Sequence, residues 1–225
     1  MADLSPVARS PIRQAPPVTM VAGWEVSARQ STSPLRLIDC APYTKTLVRT
    51  DPESPWALAL GIDRGRAKRD AAGALVAAIG YGEWLIISPP GREPSLLATE
   101  TSNGATPLTR VDLTHARAMI QITGAVSVRV LSKLCGIDFR DTANPDDCAL
   151  RSSMARLVTE IIRHDVVQPR ATGEPGPSTP SRSYLLLCDR SAGQYLFDVL
   201  LDAGREYGID VEGVANIIST SSTST

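Results

Sequence analysis

The two histidines are the side chains of this chain best suited to acid–base chemistry near neutral pH. His115 follows Asp112 by three residues, and His164 is followed directly by Asp165. An imidazole beside a carboxylate can act as a general base, because its pKa lies close to neutrality. On an extended strand, however, residues three apart point to opposite faces. We therefore predict that Asp112 and His115 do not cooperate, and His164, at a predicted strand end, is a weaker candidate still.

An acidic cluster is the best candidate for a cation site. Its members are Asp138, Asp141, Asp146 and Asp147. Hard cations need converging oxygen ligands at defined spacing, and the EF-hand pattern is missing here. Aspartate also occupies turns readily. The sequence therefore favours a solvated, turn-forming cluster over a metal site.

The four cysteines are scattered and form no Cys-x-x-Cys pair. They are Cys40, Cys135, Cys148 and Cys188. This spacing predicts free thiols in a reducing cytoplasm rather than a disulfide framework or a zinc finger. Cys135 and Cys148 are predicted to be small buried core residues. Cys135 also closes a predicted helix, where the negative end of the helix dipole disfavours a thiolate.

Positive charge is concentrated in residues 63–70. The cations are Arg64, Arg66, Lys68 and Arg69, and Asp63 and Asp70 flank them. The segment is either an anion site or a solvated loop. We favour the loop, because the aspartates offset the charge and no aromatic residue is interleaved for base stacking. Arg190, just before the last predicted helix, is also interpreted as structural.

Motifs that bind nucleotides or build hydrolase sites are absent from the sequence. It contains no Gly-x-Gly-x-x-Gly after a strand, no P-loop, no Gly-x-Ser-x-Gly and no His-Glu-x-x-His. The balance of 23 basic and 24 acidic residues gives a net charge of −1, which does not favour nucleic acid or an anionic membrane. No apolar run approaches the roughly 20 residues needed to span a bilayer. We predict a soluble cytoplasmic protein with no catalytic, cofactor-binding or metal-binding residues of its own.

The stretch 110–140 organises the predicted fold. Apolar, β-prone residues predict a strand over 111–122, and Gly124 ends it. Val126, Val130 and Leu131 then recur at helical spacing, which predicts a helix over 125–135. Gly136 is placed for a left-handed helix end, with Ile137 as its apolar contact. Residues 184–207 repeat this order, strand then helix.

Other elements are predicted from shorter patterns. Two strands are predicted over 35–40 and 43–49, and a buried hairpin over 75–79 and 84–88. Asp51 is predicted to cap a short helix that ends at Gly61, and Ser191 with Gln194 forms a capping-box pattern. The spacing of the apolar residues in 148–164 fits a helix better than strands.

The chain divides by composition into three regions. Residues 1–34 are predicted to be a flexible proline-rich arm, either mobile or ordered only in a complex. Residues 35–215 form the domain, with 35–107 and 108–215 as two potential subdomains. Residues 216–225 are predicted to be a disordered tail, and the proline- and glycine-rich stretch 168–182 to be a loop or insertion.

Several motifs, in order, resemble the gamma subunit of heterotetrameric sarcosine oxidase. They are GYGEWL at 80–85, DLTH at 112–115, ITG at 122–124, VL at 130–131, CGIDF at 135–139 and DRSAGQYL at 189–196. The departures are the long arm, the insertion at 168–182, Tyr81-Gly82 in place of the family's Pro-Asp, and Ala116 after His115. The resemblance implies an α+β fold of small antiparallel sheets with helices packed on one face, like the folate-binding domain of aminomethyltransferases. It also favours two strands over 148–164.

The resemblance also implies a function. The chain would be a non-catalytic subunit of a flavoenzyme of sarcosine catabolism, an oxidoreductase heterotetramer with alpha, beta and delta subunits as partners. The complex oxidises sarcosine to glycine and passes the one-carbon unit to tetrahydrofolate, and its other subunits hold FAD, FMN, NAD, tetrahydrofolate and zinc. Another methylamine is an equally good substrate from this chain alone. The alternatives are a stand-alone folate-binding protein or aminomethyltransferase of the T-protein type, and a pure interaction module.

Overall fold

The structure is a computed structural model that describes residues 6–92, 94, 96, 107–167 and 180–214. Its described part is mostly β. The strands are β1 (Ala8–Arg9), β2 (Val18–Val21), β3 (Trp24–Ser27), β4 (Arg36–Asp39), β5 (Thr44–Arg49), β6 (Ala67–Arg69), β7 (Leu75–Gly80), β8 (Glu83–Ser88), β9 (Thr109–Asp112), β10 (Arg117–Thr123), β11 (Ala149–Met154), β12 (Leu157–Arg163), β13 (Val166–Val167), β14 (Pro180–Ser181), β15 (Ser183–Asp189) and β16 (Asp210–Glu212). The helices are α1 (Pro55–Leu60), α2 (Ser127–Leu134) and α3 (Gly193–Gly204).

In the described residues three sheets build the fold, beside the short β13–β14 ladder. The six-stranded sheet has the order β11-β12-β15-β10-β4-β16, and the five-stranded sheet has the order β6-β7-β8-β5-β9. A three-stranded sheet, β1-β3-β2, is formed by the N-terminal segment. All described ladders are antiparallel except β16 with β4 and β1 with β3. The predicted α+β class is broadly consistent with this, but the β content is higher than expected.

Alternation along the strands separates three apolar cores. On β10, Ala118, Ile120 and Ile122 face α2 and α3, whereas Met119 faces the five-stranded sheet. The two large sheets pack face to face through a second core. A third core lies on the outer face of the five-stranded sheet, where Trp84 meets Trp56 of α1 edge to face at 5.4 Å. Helices therefore cover both outer faces, not one.

The predicted strand 111–122 is wrong in one respect. It is two strands, β9 and β10, which belong to different sheets. Between them the chain turns, because the Asp112 side chain accepts a hydrogen bond from the N–H of Thr114 (2.8 Å), and the N–H of Leu113 donates to the carbonyl of Lys45 (2.8 Å). The organising stretch therefore carries the chain from one sheet to the other.

The hairpins are confirmed. β7 and β8 are buried on both faces, as their continuous apolar sequence predicted. The ambiguous stretch 148–164 forms the hairpin β11–β12, as the resemblance implied. Its helical spacing misled because β12 is buried on both faces from Thr159 onward, with Ile161 towards the helices and Ile162 towards the other sheet.

The helix bodies match the predictions better than their ends. The helix start at Asp51 is wrong, because Ser54 caps α1 by accepting from the N–H of Ala57 (3.2 Å). Gly61 does end α1 in the left-handed conformation, at φ 57°. Gly136 does not, because Cys135 leaves α2 in an extended conformation. Among the residues that the structure describes, no side chain caps the start of α3, so the capping-box prediction is also wrong.

The N-terminal segment packs onto the rest of the fold. Predicted above as a flexible arm, it contains β1–β3 and buries Ile12, Trp24 and Val26 in the two main cores. Its mobility and the domain boundary at residue 34 stay predictions. The predicted tail 216–225 and most of the stretch 168–182 lie outside the described residues.

Candidate functional site

A cleft of about 430 Å³ opens between the six-stranded and five-stranded sheets. It is lined by Cys40, Tyr43, Arg69, Ala72, Gly73, Leu75, Ile87, Pro89, Arg92, Met119, Gln121, His164, Val166 and Leu185. Leu75 and Ile87 come from the five-stranded sheet, and Met119 and Leu185 come from the six-stranded sheet. The volume lies within the range of small-molecule sites, and the lining is mostly apolar with a few polar groups.

The polar side of the cleft is built around His164. The Nε–H of Arg69 donates to His164 Nε2 (2.8 Å), so that nitrogen acts as an acceptor. The proton lies on Nδ1, which is 2.9 Å from Asp147 Oδ1 and donates to it. Arg69 also donates through Nη1 to the carbonyl of Gly73 (2.7 Å). The chain Asp147–His164–Arg69 thereby holds a guanidinium at the rim.

The rim is cationic above an apolar floor. Arg92, from the turn after β8, is a second guanidinium lining the cleft. Gln121 adds a fixed amide, whose Nε2 donates to Ser183 Oγ (2.7 Å). Two guanidinium groups over apolar walls suit a small anion with an apolar body.

Within the described residues, one group of side chains could hold a metal ion. It consists of Asp146, Asp147 and His164. Each offers one ligand atom, and these atoms lie within 4.8 Å of one another. A metal at Nδ1 of His164 would move the imidazole proton to Nε2, where Arg69 already donates. Two donors would then face each other, and the guanidinium would have to turn away. The arrangement favours an ion-pair chain over a metal centre.

Two ionisable groups that line the cleft, the Cys40 thiol and the Tyr43 phenol, are held in their neutral forms. Burial, reinforced by the charge of nearby Asp39, raises the pKa of the Cys40 thiol well above its ordinary range. Burial likewise raises the pKa of the Tyr43 phenol. Neither group is activated as a nucleophile or base at neutral pH.

Lys45 is sealed between the two sheets. Its Nζ donates to the carbonyls of Ala41 and Tyr43, both at 2.7 Å, and burial lowers its pKa to about 8. Asp39 is buried nearby, and burial raises its pKa, although Gln14 of the N-terminal segment donates to its carboxylate (2.6 Å). Lys45 is fully buried and is not among the residues that line the cleft.

Comparison with protein-family models finds no match, and no curated protein matches the chain. A solved structure does. A chain of heterotetrameric sarcosine oxidase from Corynebacterium sp. U-96, in complex with pyrrole 2-carboxylate, aligns with a TM-score of 0.60 and 25% identity, covering 77% of this chain and 85% of that chain. The chain is a structural relative of heterotetrameric sarcosine oxidase. The resemblance found in the sequence motifs is thus confirmed.

A second solved structure shares the fold of this chain. It is the glycine cleavage system aminomethyltransferase T from Bartonella henselae, with a TM-score of 0.63 and 13% identity. The alignment covers 88% of this chain and 56% of that chain. This chain therefore spans about half the length of the aminomethyltransferase, and at this identity the likeness concerns the fold.

The two histidines of this chain, His115 and His164, have different surroundings in the structure. His115 lies in the turn between β9 and β10 and stacks on Trp24, with ring centroids 4.8 Å apart and planes 8° apart. The Asp112 carboxylate accepts a hydrogen bond from the N–H of Thr114 (2.8 Å) rather than from the imidazole of His115. His164 is the one that reaches the cleft.

The acidic cluster divides among separate partners. Asp141 pairs with Arg163 (2.6 Å) and Arg182, while Asp147 joins His164. Asp146 Oδ1 accepts from the N–H groups of Asp147 and Asp165, and Asp138 pairs with Arg140. The cysteines are free thiols in the described structure, with Cys148 partly exposed.

The basic segment and Arg190 are also placed. In residues 63–70 only Arg69 reaches the cleft, and Arg190 donates through Nη2 to the carbonyl of Arg9 (2.7 Å). Sequence reasoning missed the cleft, because Arg69, Arg92 and His164 come from separate elements. The one signal was the cluster of basic residues before β7. No helix in the described part of the chain is long and apolar enough to cross a membrane.

Proposed function

We propose that this chain is a gamma-type subunit of a multi-subunit sarcosine oxidase, without catalytic residues of its own, and that it stabilises the complex. One observation carries the proposal: the similarity to a chain of heterotetrameric sarcosine oxidase extends over 85% of that chain and 77% of this one. The likeness to the aminomethyltransferase reaches only 56% of that enzyme's chain. The length of the match therefore supports the subunit role over the whole transferase activity.

The chemistry of the cleft fits this role. Burial keeps Cys40 and Tyr43 protonated, and Lys45 is turned away into the core. In the proposed cytoplasmic complex, the alpha, beta and delta subunits would hold FAD, FMN, NAD, tetrahydrofolate and zinc. Sarcosine would be oxidised there to glycine, and its one-carbon unit would pass to tetrahydrofolate. This chain would contribute packing surface.

A tagged pull-down of the chain from its native cells tests the proposal. The visible spectrum of the eluate and the masses of its proteins are recorded together, with an untagged lysate as the control. We expect flavin absorbance accompanied by larger co-purifying chains, and sarcosine-dependent formation of hydrogen peroxide. A colourless eluate that contains this chain alone would refute the subunit role.

A second candidate is a stand-alone folate-binding protein or aminomethyltransferase of the T-protein type. The cleft favours it, because Arg69 and Arg92 stand over apolar walls that could hold an anionic molecule with an aromatic body. Titration of the purified chain with tetrahydrofolate in a calorimeter decides the matter. Under this alternative Arg92→Gln weakens binding at least about tenfold, whereas Arg129→Gln, an exposed guanidinium on α2, leaves it unchanged. Absence of heat at millimolar ligand would exclude this candidate.

A further inference from the structure

The N-terminal three-stranded sheet has an edge that no other described strand covers. Within the described residues β2 pairs with β3 alone, because the strand order is β1-β3-β2. Edge strands present unpaired N–H and C=O groups, and proteins commonly protect them with charged residues or proline. β2 itself contains neither a charged residue nor a proline, because Pro16 and Pro17 lie just before the strand. The edge is therefore chemically open to a further strand.

The hydrogen-bond pattern identifies the residues that face this open side. The N–H of Ala28 donates to the carbonyl of Pro17 (2.8 Å), and the two residues lie opposite each other when the β2–β3 register is extended by one residue. In an antiparallel pair such hydrogen-bonded positions alternate with non-bonded ones. Thr19 and Val21 therefore bond to β3, whereas the N–H and C=O groups of Val18 and Met20 point away from it.

The same two residues also expose their side chains. Val18 is 51% exposed and Met20 is 52% exposed, and as residues i and i+2 they share one face of the sheet. Val7, just before β1, is 49% exposed. A strand added beside β2 would bond to the free backbone groups and place its own apolar side chains next to Val18 and Met20.

Positive charge surrounds the groove beside this edge. The groove has a volume of about 410 Å³, and its lining includes Arg9, Arg13, Val18 and Glu25. Arg9 pairs with Glu25 at 3.6 Å, and Arg190 donates to the carbonyl of Arg9. The lining itself therefore holds two guanidinium groups and one carboxylate, which leaves an excess of one positive charge to attract an incoming carboxylate.

We propose that the β2 edge binds an extended segment of a different protein chain by strand addition. Apolar residues of that segment pair with Val18 and Met20, and a flanking carboxylate reaches Arg13. The charge of the groove selects this occupant over a second copy of the chain, because β2 and its flanking residues 14–23 bring no carboxylate. The proposal goes beyond the oxidase-subunit role and does not rest on it.

Amide hydrogen exchange of the full chain, read by NMR, tests the open edge. We expect the N–H groups of Val18 and Met20 to exchange rapidly, and those of Thr19 and Val21 to be protected by β3. Protection of all four in the monomer would show that the edge is already covered, and would overturn the proposal.

Binding is tested by fluorescence anisotropy with labelled eight-residue probe peptides. The probe alternates valine and threonine between terminal glutamates. One control peptide carries lysines at its ends, and another carries two central prolines. We expect the acidic probe to bind at least about tenfold more tightly than either control. Equal affinity of the acidic and lysine probes, or no binding of the acidic one, would overturn the proposal.

Variants locate the binding on the protein. Met20→Lys places a charge on the edge, and Arg13→Glu reverses the charge of the groove; each should weaken the acidic probe at least about tenfold. Val158→Lys is the matched control, because Val158 is an exposed strand valine (66%) in a different sheet. This substitution should leave the affinity for the acidic probe unchanged.

The oligomeric state of the chain tests the other occupant. If the original chain is a dimer and the Met20→Lys variant is a monomer, the edge binds a second copy of the chain, and the proposal is overturned. Flavoprotein co-purification without probe binding would overturn it too, while leaving the oxidase-subunit role intact.

Discussion

The sealed lysine between the two sheets gives the chain a measurable pH dependence. Burial lowers the pKa of Lys45 from its ordinary value of 10.5 to about 8, and the nearby charge of Asp39 opposes this shift only in part. The folded chain therefore releases this proton at a lower pH than the unfolded chain. Between about pH 8 and 10.5 the unfolded state binds more protons at this site, so stability rises with pH through that window.

The magnitude follows from the size of the shift. One pKa unit corresponds to ~1.4 kcal/mol, so the charge on Lys45 costs about 3 kcal/mol at pH 7 and about 2 kcal/mol at pH 9. The substitution Lys45→Met removes this cost. It also leaves the carbonyls of Ala41 and Tyr43 without their donor, at roughly 1–3 kcal/mol each. The two effects are similar in size at pH 7, so the informative quantity is the change with pH.

Urea unfolding of the original chain and of Lys45→Met, at half-unit steps from pH 7 to 9, measures that change. The free energy of unfolding of the substituted chain, relative to the original, should fall by about 1 kcal/mol over the range. Cys40 and Tyr43 titrate in both proteins and cancel in the difference. Lys68→Met, which removes an exposed lysine of β6, serves as the surface control. A constant difference for Lys45→Met would refute the desolvation of this lysine.

Three further predictions concern stability and are checked by urea unfolding. Trp24→Ala should cost about 3–5 kcal/mol, because it empties a buried site and removes the stack on His115; a loss under about 1 kcal/mol would mean that the N-terminal segment is not packed as described. Arg156→Gly should stabilise by about 1 kcal/mol, because Arg156 is held at φ 69°, and destabilisation would contradict that conformation. Ser54→Ala should cost about 1 kcal/mol through loss of the α1 cap, whereas Asp51→Ala should cost less.

The apolar strands and the helix bodies could be predicted from the sequence because their signals are local. The continuous apolar runs around Gly80 to Gly82 indicate a buried hairpin wherever the chain folds them. The helical recurrence of Val130, Leu131 and Leu134 likewise gives α2. Where such a pattern covers several turns or both arms of a hairpin, tertiary contacts do not overturn it.

Helix ends and sheet membership could not be predicted in the same way, because distant groups decide them. Ser191 and Gln194 have the spacing of a capping box, yet Gln194 Oε1 accepts from the N–H of Arg13, 181 residues away. A single β-prone run over 111–122 proved to be two strands of different sheets, since the turn at Thr114 also depends on β5 through Lys45. Local propensity contains no record of such contacts.

The candidate cleft could not be predicted from the sequence either, because its residues are also distant from one another in the chain. Its guanidinium groups, from Arg69 and Arg92, and its imidazole, from His164, lie up to 95 residues apart in the chain. The basic run before β7 was predicted to be a solvated loop, but Lys68 and Arg69 lie on β6, and Arg69 also reaches the cleft. Only the packing of two sheets face to face brings these groups together.

The attachment of the N-terminal segment to the last helix has a consequence for synthesis on the ribosome. Arg9 and Arg13 bind to Arg190 and Gln194, and Arg29 pairs with Asp210, so the first strands find these partners only after 181 further residues have been synthesised. At 5–20 residues per second, Trp24 emerges on the order of ten to thirty seconds before α3. During that interval its indole and the β2–β3 hairpin lack much of their core. The nascent chain therefore depends on delayed collapse or chaperone protection, and a late folding step joins the N-terminal segment to α3.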